Sequence, residues 1–146
     1  MIAVRYLLDN NALNKLTPEQ RASPFVHEHC RIPAEVLHEA QRFPDIAGLR
    51  EIGYAMSAEL LETLKRVMAS VPPDDRKLID LYSNTGNADP ILVAVALHAT
   101  DDELDSLFQN EWRIVTNDAA VHRKAAEFGV STLESAEFLR ILNMNS

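Results

Sequence analysis

Four carboxylates in this chain sit where an acid can do chemistry: Asp9, Glu39, Asp89 and Asp118. Asp9 closes an apolar segment, IAVRYLL, and Asp118 closes another, WRIVT. Glu39 shares one face of a short helical pattern with Glu35, four residues before it, and either can be the acid that matters there. Asp89 stands at the mouth of the apolar run Pro90-Ile91-Leu92-Val93-Ala94-Val95-Ala96-Leu97-His98. Each acid alone reads as a helix cap or a solvated side chain. Brought together they could not all stay ionised, because like charges raise one another's pKa. A divalent cation would remove that conflict. Oxygen donors with no cysteine among them favour Mg²⁺ or Mn²⁺ over Zn²⁺. Such ions can activate water and stabilise the leaving oxygen in phosphodiester cleavage.

The elements that must position these acids follow from periodicity. Residues 2–8 read as a buried strand, and 11–16 as a short helix. The two prolines within 17–24 mark that stretch as loop. A second strand is expected around His29-Cys30-Arg31-Ile32. A helix then runs over 33–42, with Pro33 at its first position. From Pro44 to Val71 the pattern is helical, with apolar stripes Ile46, Leu49, Ile52, Met56 and Leu60, Leu61, Leu64, Val67, Met68. Ser57 is placed to cap the second stripe. Asp74 is a candidate cap for a short helix over 76–82, and 83–87 is loop.

The run behind Asp89 is apolar on nearly every face, which marks a central helix covered on all sides. Asp101-Asp102-Glu103 is expected to open a short amphipathic segment carrying Leu104, Leu107 and Phe108. Residues 112–116 form a strand, and Asn117 or Asp118 caps the helix 119–128, which Gly129 terminates. A short strand at 130–132 and a helix over 133–142 complete the order. Strands alternating with helices predict an α/β fold with a mainly parallel sheet, whose function collects at the strands' carboxyl ends. Asp9 and Asp118 occupy two such ends.

Bulk properties narrow the field. The chain has 146 residues, 47% of them hydrophobic and 25% charged, as in ordinary globular domains, and one domain over 1–146 is expected. The net charge of −8 argues against coating nucleic acid by bulk electrostatics, while leaving room for a nuclease whose acids are neutralised by metal. Cys30 is the single cysteine, so no internal disulfide and no cysteine zinc site can form. No apolar run is long enough for a membrane span, and the start has no targeting bias, so the cytoplasm is the expected compartment.

Taken in order, the segments around the acids resemble the four motifs of the PIN-domain ribonucleases. Asp9-Asn10-Asn11-Ala12-Leu13 after a strand resembles the first. Ile32-Pro33-Ala34-Glu35-Val36-Leu37-His38-Glu39 resembles the second, with Glu39 in register with the family acid. Asn87-Ala88-Asp89 resembles the third, and Ile114-Val115-Thr116-Asn117-Asp118 the fourth. Asn10 stands where the family commonly has a hydroxyl residue, and Pro90 where it commonly has a small or polar one.

The resemblance implies a three-layer α/β/α sandwich and a metal-dependent endoribonuclease acting on single-stranded RNA. Asp9, Glu39, Asp89 and Asp118 would hold Mg²⁺ or Mn²⁺, and Asn10, Thr116 and Asn117 would orient them. It also implies the toxin of a toxin–antitoxin pair, with an antitoxin protein as partner and a homodimer as the assembly. Lys15, Arg123 and Lys124 are candidates for phosphate contacts, whereas His98 and His122 are expected to be structural. The alternative is a PIN-like interaction module without hydrolysis. A phosphoaspartyl phosphatase is disfavoured, because Asn11 stands where that class has a second Asp.

Overall fold

The computed structural model describes residues 3–70 and 89–145, with Asp89 and Pro90 described in backbone only. The expected short helix over 76–82, its cap Asp74 and the loop 83–87 lie outside the described residues.

Among the described residues five parallel strands form one sheet. They are β1 (Ala3–Leu8), β2 (Cys30–Pro33), β3 (Gly53–Tyr54), β4 (Asn110–Val115) and β5 (Ser131–Leu133), in the spatial order β3-β2-β1-β4-β5. The central pair is in register from Ala3↔Asn110 to Leu8↔Val115. Because side chains alternate along a strand, Tyr6 and its partner Arg113 face one side, and Arg5 and Trp112 face the other.

The helices divide between these faces. Between β1 and β2 lie α1 (Asn10–Asn14), α2 (Pro18–Arg21) and α3 (Pro24–His29), and α4 (Ala34–Glu39) and α5 (Ile46–Arg50) connect β2 to β3. Next come α6 (Ala58–Ala69) and α7 (Asp89–Asp102), then α8 (Ala119–Glu127) between β4 and β5, and finally α9 (Ser135–Met144). Phe25 of α3 and Phe138 of α9 stack around Tyr6, ring centroids 6.2 and 5.2 Å away. On the opposite face His98 of α7 and Trp112 of β4 meet Tyr54, and α7 packs against α6 and α8. The result is an α/β/α sandwich around a parallel sheet.

The chain moves outward from β1 through β2 to β3, returns across the sheet to β4, and moves outward the other way to β5. Right-handed crossovers therefore use opposite faces on the two sides of the β1–β4 seam. That seam is the topological switch point, where parallel α/β sheets open a crevice at the strands' carboxyl ends.

α7 bears out the expectation of a covered central helix: Ile91, Leu92, Val93, Ala94, Val95, Ala96 and Ala99 are all buried. Pro90 falls in its first turn, where its missing N–H leaves no bond unmade.

Four local expectations are corrected. The stretch 17–24 contains α2, capped by Thr17 and Gln20 in a reciprocal box, and its prolines begin α2 and α3. Pro33 precedes α4 as its N-cap residue, and that helix stops at Glu39. The helical stripe 46–56 is interrupted by β3, whose Gly53 lets Leu37 approach so closely that a Cβ would collide with it at 2.7 Å. Asp101 and Asp102 end α7 instead of opening a new segment, and Leu104, Leu107 and Phe108 are exposed.

Two caps behave as expected. Ser57 Oγ accepts the Leu60 amide at 3.0 Å, and Gly129, at φ 73°, ends α8 in the left-handed conformation. Among the described residues no helix is long and apolar enough to cross a membrane.

Candidate functional site at the carboxyl edge of the sheet

Asp9 leaves β1 directly and becomes the N-cap of α1. Its backbone is extended, and its Oδ1 accepts the Ala12 amide at 2.6 Å. The carboxylate is only 2% exposed. Burial pushes its pKa up, the Ala12 amide and a side-chain hydrogen bond from Thr116 pull it down, and the charge of Asp118 pushes it up again. Lys15, exposed at the end of α1, adds a weaker downward pull. Asp9 and Asp118 therefore feel one another's charge.

Asp118 follows β4 as Asp9 follows β1. It caps α8, its Oδ1 accepting the Ala120 amide at 2.8 Å, and it is half-buried. Between the two acids stands Thr116, fully buried at the end of β4. Its amide donates to the Leu133 carbonyl at 3.0 Å, and its Oγ1 accepts the Asp118 amide at 3.1 Å.

His122 of α8 secures this strand end. Its Nε2 lies 2.8 Å from the Thr116 carbonyl and its Nδ1 lies 2.6 Å from Thr132 Oγ1. A carbonyl only accepts, so Nε2 carries the proton, and a neutral ring takes the Thr132 hydroxyl at Nδ1. His98 is likewise engaged, with Nδ1 2.7 Å from the Tyr54 hydroxyl.

The remaining predicted residues are placed as follows. Asn10 is the half-buried first residue of α1. Asn117 turns its Oδ1 to the Ser135 amide at 3.0 Å and so anchors the start of α9, which has no cap of its own. Of the two acids on α4, Glu35 is exposed and Glu39 is half-buried at the helix end, and α4 packs against α1.

Asp89 opens α7. The last turn of that helix, at Thr100 and Asp101, lines a pocket with Asn110 at the amino end of β4. Fourteen helical residues span about 21 Å, so the backbone at Asp89 lies toward the carboxyl edge. Its side chain lies outside the described residues.

Among the described residues no group of three or more His, Cys, Asp or Glu side chains forms a metal cluster. Asp118 acts on Asp9 through its charge. One or two carboxylates, with waters and substrate phosphate, are what Mg²⁺ ordinarily takes from a protein. An all-oxygen pair of like charges, one of them buried, fits that requirement.

Two buried cations that periodicity could not reveal tie elements together. Arg21 is buried: Nε and Nη2 grip Asp45 at 2.8 and 3.0 Å, and Nη1 donates to the carbonyls of Leu16 and Leu13 at 2.7 and 3.2 Å. It thereby closes the carboxyl end of α1 and ties it to the segment after α4. Lys124 proves structural, which corrects its expected phosphate role. It is 4% exposed, and its Nζ bonds Ser70 at the end of α6 and Glu127.

The chain matches no protein-family model and no curated protein. Fold and acid placement are therefore what speak to its chemistry. They define an α/β/α domain with paired carboxylates at the switch point of a parallel sheet.

Proposed function

We propose that this chain is a PIN-type, metal-dependent endoribonuclease acting on single-stranded RNA. The observation that carries the reading is the pairing of Asp9 and Asp118 at the carboxyl ends of adjacent central strands, linked through Thr116. Asp9 and Asp118 would hold Mg²⁺ or Mn²⁺, with Glu39 and Asp89 as further oxygen donors, and the ion would supply charge neutralisation and polarisation of the phosphodiester.

The protein's own groups have separable tasks. Thr116 holds Asp9 in place and favours its ionised form by donating to it. The capping bonds from Ala12 and Ala120 occupy one oxygen of each acid and fix its rotamer. Lys15, exposed and within electrostatic reach of Asp9, is placed to meet an RNA phosphate, and Arg123 is exposed on α8. On this reading the protein works in the cytoplasm as a homodimer and as a toxin restrained by an antitoxin protein.

Incubation of the purified protein with single-stranded RNA and Mn²⁺ tests the proposal. Cleavage that EDTA stops and Asp118→Asn abolishes is expected, and equal cleavage by that variant would refute the site. One observation favours the second reading, a PIN-like module that binds without hydrolysis: burial holds Asp9 toward its neutral form. RNA retention without cleavage at any Mn²⁺ concentration would establish it.

A further inference from the structure

At the opposite edge of the sheet, α7 and β4 are joined by a loop over 103–109 that points its apolar side chains outward. Leu104 is 59% exposed, Phe108 80% and Leu107 96%. Single exposed apolar side chains are common, but three within five residues are a patch, and patches mark interaction sites. The loop is pinned shut. Glu103 Oε1 accepts the Asn110 amide at 3.0 Å and Trp112 Nε1 at 2.9 Å, while Oε2 accepts Asn110 Nδ2 at 2.9 Å. Gln109 Nε2 donates to the Leu104 carbonyl at 2.8 Å.

Beside the loop lies a pocket of about 220 Å³. Leu97, Trp112, Phe128 and Val130 give it apolar walls, and Asp101 adds an acidic residue to its lining, while the Glu111 carboxylate is paired with Arg113 at 2.8 Å. That combination suits a lysine or arginine side chain, whose stem is apolar and whose head is cationic. The loop itself carries the same sign. Asp101, Asp102 and Asp105 are exposed, and the sequence has no lysine or arginine between Lys77 and Arg113.

We propose that this loop and pocket dock a basic amphipathic segment of another protein, its apolar residues on Leu107 and Phe108 and a cationic side chain in the pocket. A second copy of this chain is a poor occupant, since a two-fold contact here would set acidic rim against acidic rim. The surface lies across the sheet from Asp9 and Asp118, and the inference stands whether or not the protein cuts RNA.

The test uses a fluorescein-labelled helical peptide with leucines at i, i+3, i+4 and i+7 and lysine or arginine elsewhere, beside a counterpart carrying glutamate at the basic positions. Fluorescence anisotropy with the full chain should show binding of the basic peptide alone. Leu107→Asp and Phe108→Ser, both at exposed positions, should each weaken it about tenfold. Asp101→Asn should weaken it and flatten its salt dependence, while Glu19→Gln and Glu137→Gln, on α2 and α9, should leave it unchanged. Unchanged affinity in Leu107→Asp would overturn the proposal, as would equal losses in Glu19→Gln, which would mean bulk charge alone. So would sedimentation of the wild type as a dimer that Leu107→Asp dissociates.

Discussion

Thr116 bears on both strand-end acids: across the seam between β4 and β1 it draws the Asp9 carboxyl toward its ionised form, and its hydroxyl oxygen accepts the amide of Asp118. Groups that orient ligating or reacting carboxylates typically contribute 10- to 100-fold when removed. Thr116→Val should lower RNA cleavage by roughly that factor, and Thr116→Ser, which keeps the hydroxyl, should retain most of it. Single-turnover rates for the pair check this. Equal rates in Val and Ser variants would show the hydroxyl to be idle.

Asp9 gives a pH signature. Its folded-state pKa is raised, first by burial, so ionising it costs the folded state more than the unfolded one. The fold therefore loses stability as pH rises from the ordinary carboxylate range through the raised value, and stays lower above it. Asp9→Asn keeps a capping oxygen for Ala12 and removes the charge. Without metal, its Tm should exceed that of the wild type at neutral pH, and the gap should close as pH falls below the unfolded carboxylate range. Mn²⁺ should raise the wild-type Tm more than that of Asp9→Asn. Thermal melts across pH, with and without Mn²⁺, measure both.

Arg21 and Asp45 form the brace behind the site. Asp45 is partly exposed, which screens the charge, but Arg21 is buried and would lose two hydrogen bonds. Asp45→Ala should destabilise the fold by roughly 2 kcal/mol in urea unfolding. The Arg21 hydrogen bond holds the pKa of Asp45 below the usual range. Its stabilising effect is present above the unfolded carboxylate pKa and is lost as pH falls through the depressed folded value. Asp9 and Asp45 thus respond to acid with opposite sign.

His122→Phe removes the bonds to the Thr116 carbonyl and to Thr132, leaving a buried strand end short of a donor. A loss of about 1 to 2 kcal/mol is expected. Cleavage should fall further than stability explains, because Thr116 is released. Activity measured well below the melting transition separates the two effects.

Much of this was legible in the sequence, for physical reasons. Apolar strands ending in Asp9 and Asp118, and the all-apolar face of α7, announce themselves by hydrophobic pattern. Gly53–Tyr54 did not, because two residues of edge strand have no period and sit inside a helical stripe. The prolines at 18 and 24 suggested loop, yet proline also begins helices, and Thr17 and Gln20 decide the matter through side-chain bonds. Glu103 looked like one more solvated acid, but it turns back onto Trp112 and Asn110. Arg21, Glu103 and Lys124 act through contacts 24, 9 and 54 residues away in the chain, which local pattern cannot encode.

The most direct measurement is the single-turnover rate on end-labelled single-stranded RNA at saturating Mn²⁺, for wild type, Asp9→Asn, Asp118→Asn and the double variant. If the two acids form one site, each single substitution should remove nearly as much activity as both together. Losses that multiply independently, or a wild type that leaves the RNA intact, would contradict the account.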